Sequence, residues 1–335
     1  MFSLQGVINL SEEILTFENI KKHFITPQGI VKAVDGVSFS VKKGEIFGLI
    51  GESGSGKSTL AFVSVGVYRP TEGKIIFNKQ DISKESSKRS KFLKKEIRII
   101  FQDPGSSLNS RRNIKQIIEL PLKVHHISKN KDQNLKKVEN LLEMVSLPIS
   151  YLYKYPRELG GGEKQMVAIA RALASNPSFI ILDEPTSALD VSMQAKVINV
   201  LVKLQKKHNL TLLFITHNLV LVRNVALRVA IMYLGKICEI ANTPEFFKNP
   251  LHPYTQMLLS SIPVISDEEE ALKPQKIMSV GEIPSPVNIP PGCSFYSRCP
   301  KKMDICSQED PPMIEVCKGH TVRCHLYAKK SCYKK

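Results

Sequence analysis

The sequence predicts an α/β domain on a largely parallel sheet, followed by an irregular, cysteine-containing C-terminal extension. Three apolar runs carry the prediction: residues 45–50, 179–182 and 210–216. Each has the length of a buried strand, and helix-friendly stretches lie between them, the pattern of a parallel sheet with crossover helices. A glycine-rich loop joins the first run to a helix.

Composition sets the outer bounds. At 335 residues, with 42% hydrophobic and 23% charged, the chain buries a sizeable core, which excludes disorder as a description of the whole. The length fits two domains, or one large domain with an appendage. Lysine and arginine number 47 against 31 acidic residues, a formal charge of +16, which suits nucleic acid, nucleotide phosphates or an anionic membrane face. No run reaches the ~20 apolar residues that cross a bilayer. Residues 1–13 lack the basic start of a signal peptide and are expected to be a short leader, leaving the chain in the cytosol.

Taken in order, residues 14–50 form β segments with turns, ending in the buried run at 45–50. The loop at 51–59 follows, and a helix is expected from it to Tyr68, before Arg69-Pro70. Lysine-rich stretches at 84–96 and 123–137 are expected to be solvated faces. A helix over 163–175 ends at Asn176-Pro177; strands at 179–182 and 210–216 follow, the latter stopping just before His217. Beyond about residue 245 proline becomes dense and periodicity fades, so little regular structure is expected there. No long internal repeat is visible, and there is one phosphate loop.

Residues 51–58 fit G-x-x-x-x-G-K-[ST] between a strand and a helix. Gly51, Ser53, Gly54, Ser55, Gly56 and Thr59 build a loop whose backbone N–H groups wrap a phosphate. Lys57 neutralises phosphate oxygens, and Ser58 supplies a hydroxyl for Mg²⁺. At the C-terminal end of the 179–182 strand stand Asp183, suited to hold Mg²⁺ through water, and Glu184, suited to orient the attacking water.

Taken together with the motifs between and beyond these two, the chain closely resembles the ATP-binding subunits of ABC transporters. Leu159-Gly160-Gly161-Gly162-Glu163 is similar to the family signature L-S-G-G-Q, and Gln102 in FQDPGSSLNSR is similar to the Q-loop glutamine. Asp190 in SALD is similar to the D-loop residue, and His217 to the switch histidine. The resemblance implies a P-loop NTPase (RecA-like) core with an antiparallel β subdomain and a helical subdomain at about 104–176, all within an ATPase domain at 14–245. It implies ATP and Mg²⁺ as ligands, Ser58, Gln102 and Asp183 at the Mg²⁺, catalysis by Glu184, His217 and Gln102, and either His23 or Phe24 stacking on adenine. Two such domains meet head to tail, each ATP lying between one chain's phosphate loop and the other's signature, with Gly161 and Gly162 on the far side.

The signature departs from the family at Gly160, where serine is usual, and at Glu163, where glutamine is usual. A hydrogen bond to a charged group is worth about 1.5–3 kcal/mol, so the missing hydroxyl weakens that contact by roughly 10- to 100-fold. The expectation is a heterodimer with one weakened site, this chain's own Lys57, Glu184 and His217 facing a normal signature on a second ATPase subunit.

Of the seven cysteines, Cys238 stands apart and six crowd into the last 43 residues. Cys293, Cys299, Cys306 and Cys324 lie in a proline- and glycine-rich segment that needs a cross-link, which points to a metal or iron–sulfur site, with Zn²⁺ as the rival and disulfides disfavoured in the cytosol. From Asn249 onward the chain resembles the C-terminal extension of oligopeptide and dipeptide importer ATPases, most closely the second of their two ATPase subunits. That resemblance implies a [4Fe–4S] cluster on these four cysteines within an extension at 246–335. Cys317 and Cys332 fall outside the pattern and are expected to be spare thiols. The implied partners are a second ATPase subunit, two transmembrane permease subunits and an extracytoplasmic solute-binding protein, with no nucleic acid, at the cytoplasmic face of the membrane. Members of the same family also import nickel or oligosaccharides. A soluble ABC ATPase acting on ribosomes or DNA is the other class, but its usual paired nucleotide domains or coiled-coil insertion are not visible.

Overall fold

The computed structural model describes residues 12–128, 130–261, 284–287, 289 and 291–328. Most of the expected leader, residues 1–11, lies outside the described residues, as does Cys332.

Two sheets organise the chain. β1 (Glu13–Thr26) pairs antiparallel with β2 (Gly29–Lys42) and with β4 (Glu72–Phe77), which pairs in turn with β5 (Gln80–Asp81). The second sheet is built around β3 (Ile46–Ile50), every residue of which is buried. On one side stand β8 (Thr211–Thr216), β7 (Phe179–Asp183) and β6 (Ile97–Ile100), and on the other β9 (Arg228–Tyr233), all parallel. β10 (Lys236–Asn242) turns back antiparallel to β9.

The apolar runs do not alternate with polar residues because both faces of the parallel strands are covered. Successive side chains point to opposite faces, and the two core clusters divide accordingly. Phe47, Leu49, Phe179 and Ile181 pack in the cluster under the antiparallel sheet, while Ile46, Ile50, Ile180 and Leu182 pack against the helices.

After β3 comes α1 (Lys57–Val65). It stops three residues short of the expected Tyr68 because Gly66 takes a left-handed φ of 79° and its N–H caps the last turn. α2 (Lys91–Glu96) precedes β6. Between β6 and β7 lie α3 (Pro104–Ser107), α4 (Ile114–Val124), α5 (Lys131–Met144) and α6 (Gly161–Leu173); α7 (Val191–His208) leads to β8, and α8 (Leu219–Val225) to β9. No helix among the described residues is long and apolar enough to cross a membrane.

The extension corrects the expectation of little regular structure. α9 (Thr243–Lys248) and α10 (Pro253–Ser260) carry Pro244 and Pro253 in their first turns, where the missing N–H costs nothing. Further on, β11 (Met313–Cys317) and β12 (His320–Arg323) form a hairpin, and β12 pairs antiparallel with β10. The hairpin thereby extends the central sheet to eight strands.

Candidate active site

The phosphate loop leaves β3 between the ends of two neighbouring strands. Gly54 and Gly56 adopt φ of 79° and 105°; a Cβ on Gly56 would overlap the Ala33 carbonyl, and one on Gly51 the Met232 carbonyl. Ser53 and Gly54 are exposed at the tip, Ser55 is buried, and Thr59 is half-buried in α1. The buried Lys57 ammonium donates to Gly51 O at 2.7 Å, Glu52 O at 2.8 Å and Ser55 Oγ at 3.2 Å. Burial pushes its pKa down, opposed by the carboxylates of Glu184, Asp183 and Glu52.

β7 brings Asp183 and Glu184 to the same place. Ser58 Oγ donates to Asp183 Oδ1 at 3.0 Å, and burial pushes the Asp183 carboxyl above its usual range, with the Ser58 bond acting the other way. Glu184 has a left-handed φ of 47°, uncommon for a residue with a side chain, and its N–H donates to Ile215 O at 2.9 Å. Its carboxylate is bracketed: Gln102 Nε2 donates to Oε2 at 3.2 Å, and His217 Nδ1 lies 3.1 Å from Oε1. Three residues spread over 116 positions of sequence thus meet at one carboxylate.

The remaining site residues are placed as follows. His23 Nε2 lies 3.1 Å from Asp35 Oδ1, and Phe24 packs edge-on against Tyr68 with ring centroids 5.3 Å apart. Asp190 caps α7, accepting from Met193 N at 2.9 Å and Ser192 Oγ at 2.6 Å; these bonds, the Ser192 hydroxyl first, hold its carboxyl below the usual range. Gly161 and Gly162 open α6, and a Cβ on Gly162 would overlap the Met193 side chain, so the glycine lets α6 approach the start of α7. Glu163 turns back on its own helix: Tyr151 Oη donates to Oε1 at 2.7 Å and Gly160 N to Oε2 at 2.9 Å.

Sequence reasoning missed a contact between the loop and the extension. Arg298 Nη1 lies 2.9 Å from Glu52 Oε2, and the Glu52 N–H donates to Tyr254 Oη at 3.1 Å. Its one legible sign was an acidic residue inside a phosphate loop.

Cys293, Cys299, Cys306 and Cys324 are all free thiols. Cys293 N donates to Cys306 O at 2.9 Å, and Gly292, with φ of 83°, allows that approach, since a Cβ there would crowd the same carbonyl. Burial pushes Cys293 up to about 12, Cys324 up to about 11, and Cys299 upward. In each of these three a backbone N–H two residues on (Phe295, Leu326, Lys301) hydrogen-bonds to the sulfur and acts the other way. Among the described residues no three His, Cys, Asp or Glu side chains stand close enough to hold a metal ion. One expectation needs correction: Cys317 is disulfide-bonded rather than a spare thiol. Burial pushes the Cys238 thiol on β10 well above its ordinary range, and nearby Cys293 acts in the same direction.

Comparison with known proteins gives this arrangement its context. Residues 34–187 match the family model described as "ABC transporter", and residues 238–306 that described as "Oligopeptide/dipeptide transporter, C-terminal region". The oligopeptide transport ATP-binding protein AppF of Bacillus subtilis (strain 168) is 48% identical over 325 residues, covering 95% of this chain and 98% of AppF. This chain belongs to the ATP-binding subunits of ABC transporters. Within that family, the oligopeptide transport ATP-binding protein OppF of the same organism is 45% identical over 262 residues, covering 78% of this ABC subunit and 86% of OppF. The dimeric ATP-binding cassette MJ0796, solved in a post-hydrolysis state with ADP and Pi, superimposes with a TM-score of 0.62 at 28% identity, covering 68% of this chain and 98% of that one.

Proposed function

We propose that this subunit binds and hydrolyses ATP to drive peptide import through a pair of membrane permeases supplied by a solute-binding protein. The observation that carries the reading is the Glu184 carboxylate held between Gln102 and His217, beside Lys57 and the Ser58–Asp183 pair. In that geometry Glu184 orients and polarises the attacking water, and His217 reaches the γ-phosphate. Lys57 would turn its ammonium from the loop carbonyls to phosphate oxygens, and Ser58 and Asp183 would hold Mg²⁺ with Gln102 nearby. Oligopeptide transport is the named role of AppF and OppF, which supports peptides as cargo.

The working form is a head-to-tail dimer at the cytoplasmic face of the membrane, with the ATPase domain at 14–245 and the extension at 246–335. The dimeric MJ0796 cassette supports the dimer; the partner is a different ATPase subunit. The site completed by this chain's signature is the weaker one, because Gly160 has no hydroxyl and the Glu163 carboxylate is committed to Tyr151 and Gly160 N.

The four cysteines hold a [4Fe–4S] cluster, with Zn²⁺ the rival. What supports the reading is donor chemistry alone, four free thiols in one segment; among the described residues they do not stand together as a group that could hold a metal ion, so binding would have to draw them together. Such a cluster supplies a cross-link to a segment with little apolar core of its own.

The test of the catalytic reading is ATPase activity of the reconstituted complex with Glu184→Gln in this chain alone. A fall of about 100-fold or more is expected. Retention of most of the activity would sink both the role of Glu184 and the asymmetry.

A further inference from the structure

Glu52 is an awkward residue for a phosphate loop. Its side chain carries a negative charge into the loop whose backbone N–H groups and Lys57 serve to hold anionic phosphates. Both ends of Glu52 are held by residues beyond the phosphate-loop fold: its N–H donates to Tyr254 Oη on α10, and its carboxylate takes both arms of the Arg298 guanidinium, at 2.9 and 3.3 Å. This is the two-pronged geometry in which arginine binds a carboxylate most strongly. Arg298 is only 7% exposed, and its guanidinium lies 5.8 Å from the Tyr233 ring centroid and 5.9 Å from that of Phe295. It directly precedes Cys299, and its own N–H donates to Phe295 O at 3.1 Å.

We propose that Arg298 is a positioning residue of the nucleotide site: it neutralises Glu52 and fixes the phosphate loop, so that nucleotide affinity depends on the cysteine-bearing extension. The proposal rests on the reading of residues 51–59 as the phosphate loop. A merely structural pair would dock the extension onto the core and leave nucleotide affinity alone. An electrostatic one makes a different demand, because removing Arg298 exposes the phosphates to an uncompensated carboxylate, and removing that carboxylate as well should undo the damage.

Calorimetric titration of the purified full-length chain with Mg-ADP separates the two. Arg298→Ala should weaken binding about tenfold, or about 1.4 kcal/mol. Glu52→Gln alone should bind as tightly as the unaltered chain or more so, and the double variant should return to within about twofold of Glu52→Gln, a coupling that a double-mutant cycle reads directly. The proposal is overturned if Arg298→Ala binds normally, or if the double variant stays as weak as Arg298→Ala. Should Arg298→Ala not fold, Arg298→Gln takes its place: weaker binding that Glu52→Gln restores supports the proposal, and unchanged binding, or a loss that Glu52→Gln does not restore, overturns it. Lys57→Ala serves as the separate check, since normal Mg-ADP binding by that variant would refute the phosphate-loop reading itself.

Discussion

His320 Nε2 lies 2.7 Å from Glu239 Oε1, and both side chains are buried. Glu239 Oε1 also accepts from Leu251 N at 2.9 Å, and Oε2 from His252 N at 2.8 Å. One carboxylate on β10 therefore ties the β11–β12 hairpin and the start of α10 to the central sheet. Removing the carboxylate leaves the His320 ring nitrogen and the Leu251 and His252 N–H groups without their partner, at a cost of about 3–5 kcal/mol in all. Glu239→Ala should destabilise the chain by that much in denaturant unfolding; a change below about 1 kcal/mol would show that the tie is not structural.

His252 supplies a pH dependence of its own. Burial pushes its pKa down to about 4, against the pull of Glu239, and the neutral ring accepts from Tyr254 N at 3.0 Å through Nδ1. The folded pKa lies below the unfolded value of about 6.5, so the unfolded chain binds the extra proton. Stability from this group is therefore complete above about pH 6.5, falls as pH drops toward 4, and changes no further below that. Unfolding midpoints of His252→Asn and the unaltered chain, compared between these limits, should converge at the acid end. Parallel curves would remove His252 from the account.

Legibility in the sequence followed physical locality. The residues of β7 announce a strand buried on both faces, and the loop at 51–59 announces its chemistry because strand, glycines, lysine and hydroxyl are contiguous. α10 was hidden because Pro253 looks like a helix breaker until its place in the first turn is known. The Glu52–Arg298 pair spans 246 positions, and no periodicity links such residues. Glu163, which in sequence is a carboxylate added near phosphate, turns out to be bonded by Tyr151, a partner 12 residues upstream that only the fold brings round.

The cysteine site predicts a pH-dependent loading. With Cys293 up at about 12 and Cys324 at about 11, both thiols are protonated near neutrality, and a metal must displace those protons to bind. Iron and acid-labile sulfide should co-purify anaerobically, reconstitution should proceed more completely at higher pH, and Ser in place of Cys293, Cys299, Cys306 or Cys324 should lower the iron content. Stoichiometric zinc without iron would overturn the cluster in favour of its rival.

The signature offers the most direct reversal. Gly160 has φ of −68° and ψ of 166°, the extended geometry of an N-cap, and a Cβ added there would find its nearest neighbour, Glu163 Oε2, at 3.7 Å. Serine therefore fits without strain. Gly160→Ser would return the hydroxyl that the family signature points at the opposing γ-phosphate, a bond worth about 1.5–3 kcal/mol. As a cap it adds only a few tenths of a kcal/mol over glycine, so the melting temperature should hardly move. With Glu184→Gln silencing this chain's own site, ATPase activity of the reconstituted pair should rise by roughly tenfold or more when Gly160→Ser is added. An unchanged residual rate would mean that backbone N–H groups at the start of α6 already suffice, and that the two sites do not differ through this position.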